Sequence, residues 1–223
     1  MSNSVLITQV LLPNLISTLI MVIVSSLIAT IIGFALAVVL VITNKKGLAP
    51  NAKVYRLLDF IVNIIRSFPF IILMVALMPF TRSIVGTTIG TSAAIVPLTF
   101  AMTPYVARLF ENNLLEINPY TLDAAKSIGA THMQIIFKVM LVEAFPSMIS
   151  SVTLAIISVL GYTAMAGTVG AGGLGAVAIT YGYQNFDNTI MYSTVVLLIV
   201  FVQLVQWIGN LCYKKRKIES VRV

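Results

Sequence analysis

Long, nearly uncharged apolar runs alternate along this chain with short segments that hold most of its charge. Five runs are long enough to cross a bilayer, at about 20 residues each. They lie within residues 15–43, 57–80, 84–107, 141–165 and 189–213. Runs of this length must be helical, because lipid offers no partner to backbone N–H and C=O groups. The first is longer than a crossing needs, so a tilt or an interfacial turn after Pro13 is expected. The pattern predicts an all-α integral membrane protein with five transmembrane helices. Residues 1–14 are a short external segment, 15–213 one transmembrane domain, and 214–223 a basic tail. No repeat and no second domain interrupts this plan.

One polar stretch, residues 118–138, separates the third run from the fourth and has structure of its own. Asn118 is a good N-cap, and Pro119 falls at the first helical position, where its missing N–H costs nothing. Gly129 stands where a left-handed residue ends a helix. A short helix over 119–128, about 15 Å long at 1.5 Å per residue, is therefore expected. Thr131 and Gln134 have the spacing of a capping box, so a second helix starts at once. Leu122, Ala125 and Ile128 form an apolar stripe with Ala124 beside it, and Asp123, Lys126 and Ser127 cover much of the rest. Two adjacent alanines leave a surface that another backbone can approach closely. On these residues alone, a plain connector and a docking helix both remain open.

Composition sharpens the class. The chain has 223 residues, of which 59% are hydrophobic and 9% charged, against roughly 25% charged in soluble domains. The net charge of +7 is no nucleic-acid footprint, because its carriers sit in short loops between apolar runs. Lys45, Lys46, Lys53 and Arg56 follow the first run, Arg108, Lys126 and Lys138 the third, and Lys214, Lys215, Arg216, Lys217 and Arg222 the fifth. The opposite side has Arg82 alone as a basic loop residue. The positive-inside rule then puts the N-terminus outside and both the C-terminus and residues 118–138 in the cytoplasm. No Lys or Arg precedes Lys45, so a cleavable signal pattern is not expected. Cys212 is the single cysteine, which excludes an intrachain disulfide.

Few groups are placed for chemistry. Arg66 is the one charge read as lying inside a run. It either snorkels to the interface, with Asp59 seven residues earlier on roughly the same helical face as a partner, or lines a pathway. No carboxylate is expected at mid-membrane, which argues against an ion-coupled carrier. His132 has no cysteine or carboxylate cluster around it, so no metal site is expected. Residues 170–175 match the dinucleotide fingerprint in letters, but a membrane run precedes them and no ribose-binding acid lies at the right distance. These glycines read better as a tight outer loop buried against the helices. No Walker A pattern occurs, so any ATP is hydrolysed by another chain and this one is not expected to be an enzyme. Ser147, Ser151, Ala155, Ser158 and Tyr162 share a face of the fourth run, as close helix packing or as a pathway wall. The candidates for pathway or gate are Tyr105, Ser158, Tyr162 and Met165.

The order Asp123-Ala124-Ala125, three residues, Gly129, nine residues, then Val139-Met140-Leu141-Val142 resembles the EAA loop of ABC-importer permeases. Asp123 stands where that family has Glu, Val139 where it has Ile, and Val142 where it has Pro, although Pro146 lies one turn later. The resemblance implies that Leu122, Asp123, Ala124, Ala125, Ile128 and Gly129 belong to a coupling helix that docks on a cytoplasmic ATPase. Residues 161–184 and 66–90 resemble the corresponding segments of methionine ABC-importer permeases, and the likeness extends over about residues 14–213.

That family membership would imply import of methionine, in D or L form, across a bacterial inner membrane. An extracytoplasmic binding protein would deliver it. Two ATP-binding cassette subunits would hydrolyse ATP with Mg, and this chain would bind no cofactor itself. Five helices are few to enclose a pathway, so a two-fold homodimer is expected, in contact with membrane lipid and with no nucleic acid. The rival readings are a permease for another small amino acid or solute, an ion-coupled carrier or channel, and a membrane scaffold.

Overall fold

The computed structural model describes residues 6–221. Every regular element among them is helical. A π-helical turn, Leu6–Leu11, leads into α1, Leu12–Thr43. Three pieces follow: α2, Ala52–Ser67, α3, Phe70–Ala76, and α4, Met78–Val85. Next come α5, Thr91–Leu115, and the short α6, Pro119–Ser127. A one-turn helix α7, His132–Gln134, passes through a π turn, Ile135–Met140, into α8, Leu141–Gly167. The glycine-rich segment forms α9, Gly173–Val177, then a π turn Ala178–Gln184, and α10, Asn188–Val221, ends the described chain.

Four helical runs are long and apolar enough to cross a membrane: Gln9–Thr43, Thr91–Leu115, His132–Gly167 and Asn188–Arg216. A fifth is available if the bent pair Ala52–Ser67 and Phe70–Ala76 counts as one span. Here the structure departs from the continuous helix expected over 57–80. The pair is bent by 105° at the break. Pro69 has no N–H to give to a helix and pushes Phe68 out of helical dihedrals, so α2 stops at Ser67 and α3 restarts after Pro69.

The third run is also shifted. Gly86 and Gly90 hold φ of 82° and 96°, which ends α4 and delays α5 to Thr91. At the other end α5 continues to Leu115, past the boundary expected at 107, and so takes in Arg108 and Glu111. The last helix likewise runs through Lys214, Lys215 and Arg216, where a separate tail is expected from the sequence. Cys212 is exposed on it.

The chain divides into two units. The first comprises the chain up to Ala29, Phe68–Met102 and Ala155–Gln206. One of its cores gathers Met21, Phe70, Met74, Ala94, Leu98, Ala166 and Ala171, with Tyr162 stacked on Phe70 at 4.8 Å between ring centroids. A second joins Leu11, Leu174, Val177 and Ile190. The loop of residues 168–172 is fixed by backbone and side-chain bonds. Gly90 N–H donates to the Gly170 carbonyl at 2.9 Å, and Thr91 Oγ1 donates to the Ala171 carbonyl at 3.4 Å. The start of α9 is capped from another helix: Gly173 N–H donates to Asn14 Oδ1 and Leu174 N–H to Thr18 Oγ1. This is the tight loop expected from the glycines, packed against the helices through Ala171.

The second unit comprises Thr30–Ser67, Thr103–Leu154 and the chain from Trp207 onward. Small residues let its helices approach. A Cβ on Gly33 would lie 3.0 Å from the Thr103 carbonyl oxygen, and one on Gly209 would lie 2.2 Å from Thr153 Oγ1. Phe34 packs edge-on against Phe110, with centroids 6.2 Å apart. Asn113 Nδ2 donates to Ser151 Oγ at 2.7 Å, joining α5 to α8.

Close backbone approach in the first unit gives a direct test. A Cβ on Gly175 would lie 2.3 Å from Ala164 Cα, a contact that no side-chain rotation relieves. Gly175→Ala is expected to cost about 1–3 kcal/mol by overpacking. Gly161→Ala, whose added Cβ meets nothing within 4 Å, is the comparison. Thermal unfolding of the purified protein in detergent should show a clear drop in midpoint for the first and little change for the second.

Candidate coupling surface and pathway residues

Helix α6 is tied at both ends by local chemistry. At its start, Asn118 Oδ1 accepts from Tyr120 N–H at 3.0 Å, with Pro119 following at the first helical position. At its end, Gly129 takes φ 79°, its N–H donates to the Lys126 carbonyl, and Ala130 N–H donates to the Ala125 carbonyl. These two bonds make a Schellman motif. Thr131 then caps α7 reciprocally: Gln134 N–H donates to Thr131 Oγ1, and Thr131 N–H donates to Gln134 Oε1 at 2.8 Å. Both caps fall where the sequence places them. Asp123 pairs with Lys126 at 3.3 Å on the exposed side, and Ser127 Oγ donates to the Asp123 carbonyl.

The faces of α6 differ from the expected stripe. Ala125 is only 8% exposed, and α6 packs against the turn Ile135–Met140, in which Ile135, Ile136 and Met140 are buried. Leu122 is half-buried on the same side. Asp123 and Gly129 are exposed. The open apolar face is formed by Tyr120, Ala124 and Ile128, four residues apart, with Tyr120 82% and Ile128 86% exposed. Met133, 61% exposed, lies just beyond the turn. Of the stripe Leu122–Ala125–Ile128, only Ile128 is therefore free to meet a partner. Periodicity identifies an apolar flank, but the segment Ile135–Met140 decides which part of it the chain covers itself.

The pathway candidates are not brought together as one group. Ser158, Tyr162 and Met165 share a face of α8 in the first unit, at a spacing of four and three residues. Ser158 and Tyr162 are half-buried, Tyr162 against Phe70, while Met165 is 45% exposed. Tyr105, half-buried on α5, falls in the second unit.

Two features escape the sequence reading. Arg108 pairs with Glu111 and Asp59, and Tyr55 donates to Glu111. Asp59 is thus engaged by Arg108 and not by Arg66, the partner expected from helical spacing. Glu111 is 1% exposed, a buried carboxylate near the end of α5, beyond the apolar run 84–107. The second feature is the cap on α9 from Asn14 and Thr18, which are 159 and 156 residues away in sequence. The apolar run at 84–107 hides the first because its helix continues beyond it. No local pattern signals the second.

Comparison with known proteins agrees with this arrangement. The model of the binding-protein-dependent transport system inner membrane component family matches residues 42–218. The chain belongs to this family. It is 52% identical over 193 residues to the probable D-methionine transport system permease protein MetI of Vibrio cholerae, covering 86% of each chain. It is 49% identical over 150 residues to the D-methionine transport system permease protein MetI of Escherichia coli, covering 67% of this chain and 69% of that one. A chain of the MetNI methionine ABC transporter, solved in inward-facing conformations, superposes with a TM-score of 0.93 at 44% identity. That match covers 97% of this chain and 99% of the other.

As an inner-membrane importer component, the chain offers its α6 turn as the natural place to test packing. Ala125→Glu is expected to reduce the amount of folded protein, because a carboxylate enters the contact with Ile135, Ile136 and Met140. Burial of an unpaired charge costs several kcal/mol. Ser127→Ala, on the exposed side, should leave abundance within about 0.5 kcal/mol of the parent's stability. Detergent-extracted yield and melting temperature of the two variants check this.

Proposed function

We propose that this chain is the permease subunit of an ATP-driven methionine importer. The observation that carries the reading is agreement along nearly the whole chain with the methionine transporter structure, at 44% identity. Relatives identified as D-methionine permeases support the same solute and leave D and L forms both admissible. Two copies form the translocation pathway, since five spans alone are few to enclose a solute. Each copy presents α6 to one ATP-binding cassette subunit, and an extracytoplasmic binding protein loads methionine from outside. ATP and Mg are used in those cassette subunits. This chain contributes no bond chemistry: its role is to form the path and to follow the nucleotide-driven motion.

The geometry of α6 supports docking through Tyr120, Ala124 and Ile128. The helix is capped at both ends, so it can be pushed as a rigid peg. Its small Ala124 lies between two exposed large side chains, a shape suited to a groove. Asp123 and Gly129, together with Ala125, hold this helix in form and place. Ser158, Tyr162 and Met165 remain the proposed contributors to the path from α8, with Tyr105 from α5.

Topology follows from charge and from parity. Every Lys and Arg among the described residues except Arg82 falls in the second unit. The loops around 86–90 and 168–187 have none. If α2 with α3 and α4 counts as one broken crossing, the basic segments 44–51 and 116–131 lie on one side, as the positive-inside rule requires. Were that segment not a crossing, Lys126 and Lys138 would fall opposite Lys45 and Lys46. The N-terminus is therefore outside, and the C-terminus and α6 are cytoplasmic, in a bacterial inner membrane.

In a methionine auxotroph lacking other uptake routes, this chain with its ATPase and binding protein should restore growth on low methionine. Ile128→Glu places an unpaired charge in the docking contact, and a loss of at least ten-fold in uptake is expected at unchanged permease abundance. Restoration by an unrelated amino acid and not by methionine would overturn the solute; full uptake by Ile128→Glu would overturn the docking face.

For topology, single cysteines at Thr87, Ser127 and Asn188 in a Cys212→Ser background should report sidedness. An impermeant thiol reagent added to sealed cells should label positions 87 and 188 and spare 127. The reverse pattern would invert the orientation.

A further inference from the structure

Two carboxylates and one guanidinium meet between α2 and α5, all within the second unit. Arg108 Nη1 donates to Glu111 Oε2 at 2.7 Å, while Nη2 binds Asp59 and also reaches Asn63 Oδ1 at 3.2 Å. The Tyr55 hydroxyl donates to Glu111 Oε1 at 3.1 Å, and Asn63 Nδ2 donates to Asp59 Oδ2 at 3.1 Å. Tyr55, Asp59 and Asn63 are four residues apart, so they occupy one face of α2 over two turns. Arg108 and Glu111 are three apart on α5, where neighbouring side chains meet. The bonds thus cross between the helices at two successive levels.

Attraction alone does not account for such a cluster. Burying ions has a desolvation cost that often cancels the Coulombic gain, and apolar residues of similar volume would hold two helices together as well. Directional bonds at two levels add something apolar contact lacks: they fix rotation and sliding, because a shift of one residue between the helices would take the Tyr55 hydroxyl from Glu111 and Asp59 from Arg108. The chain beyond the cluster is stiff as well. From Glu111, α5 continues to Leu115, Leu114 and Ile117 are buried, and Asn118 caps α6 directly. Asn113, between them, is bonded to Ser151 on α8, the helix that grows from the turn covering Ala125.

We propose that Arg108, with Asp59, Glu111 and Tyr55, is a positioning network that makes α2, the end of α5 and α6 move as one piece. A push on α6 is then delivered to α2 and not lost as slip between helices. This inference rests on the reading of the chain as an ATP-driven permease. These residues touch no solute and no nucleotide; they act through the helices they join.

The test separates positioning from folding. Arg108→Gln alone strands Glu111 in a buried place, so it also reports misfolding. The triple variant Asp59→Asn, Arg108→Gln, Glu111→Gln removes the stranded charge, and its abundance should return toward that of the parent. Both are made in the complete transporter with its ATPase and binding protein. Spin labels at Leu57 and Ser127, both exposed, go into one permease copy of a Cys212→Ser transporter. The distance between them should keep the same narrow distribution in nucleotide-free and ATP-trapped states. In the triple variant the distribution should broaden at least two-fold, and methionine uptake per ATP hydrolysed should fall at least five-fold. Parental width, or parental uptake per ATP, in the triple variant would overturn the proposal. Arg108→Lys keeps the charge but cannot fork between the two carboxylates, so it serves if the triple variant does not accumulate. Its distribution should also broaden, and an unchanged width would overturn the proposal equally. Failure of the parent to take up methionine at all would strike the proposed function instead, since the distance measurement needs no solute.

Discussion

Backbone amides and carbonyls in an apolar slab must find partners inside the protein. Most of this chain meets that demand by long helices, and the informative places are the breaks. At 168–174 the freed groups are met by Gly90, Thr91, Asn14 and Thr18. At 128–131, which the proposed topology puts outside the lipid, a Schellman motif and a capping box meet them. Before α10, Asp187 Oδ1 accepts from Ile190 N–H at 3.1 Å. At Pro69 the problem is reduced at its source, because proline has no donor to satisfy. Two polar side chains of the first apolar run, Asn14 and Thr18, are thus tied to a helix start 150 and more residues away.

The same logic governs charge. The ionised groups embedded along α2 and α5 are bound to one another, since a carboxylate such as Glu111 could not remain in its place alone. The remaining charges concentrate in loops and helix ends of one unit, and Arg82 and Asp187 are the exceptions among the described residues. This separation leaves the first unit almost wholly apolar apart from hydroxyls and amides.

How much of this was legible depended on whether the signal was local. The caps of α6 and α7 are written in adjacent residues, from Asn118-Pro119 to Thr131 and Gln134, and the structure places them there. The glycine loop was legible as a loop because its residues need positive φ. By contrast, residues 57–80 read as one span because their apolar count is sufficient, and the Ser67–Pro69 break has no effect on that count. Arg108 reads as following the third span, and Glu111 draws no notice, because hydropathy falls at that point, whereas helicity does not. Ala125 illustrates a third limit. A stripe of Leu122, Ala125 and Ile128 is apolar whether its cover comes from the same chain or from another, and here the chain's own Ile135–Met140 turn packs on α6 and Ala125 is buried while Ile128 is not.

The burial of Ala125 changes the mechanical picture of α6 in a useful way. A helix whose every apolar residue faced a partner would hang from its loop and could tilt when pushed. Here one side of α6 is seated on the Ile135–Met140 turn, and that turn is continuous with α8. The opposite side offers Tyr120, Ala124 and Ile128. Under the proposed docking, force entering at the open face would meet a packed contact directly behind it, and would pass to α8 through that contact and to α5 through the Asn118 cap. In that arrangement the adjacent alanines divide the work: buried Ala125 lies on the seated side, and exposed Ala124 leaves room on the open one.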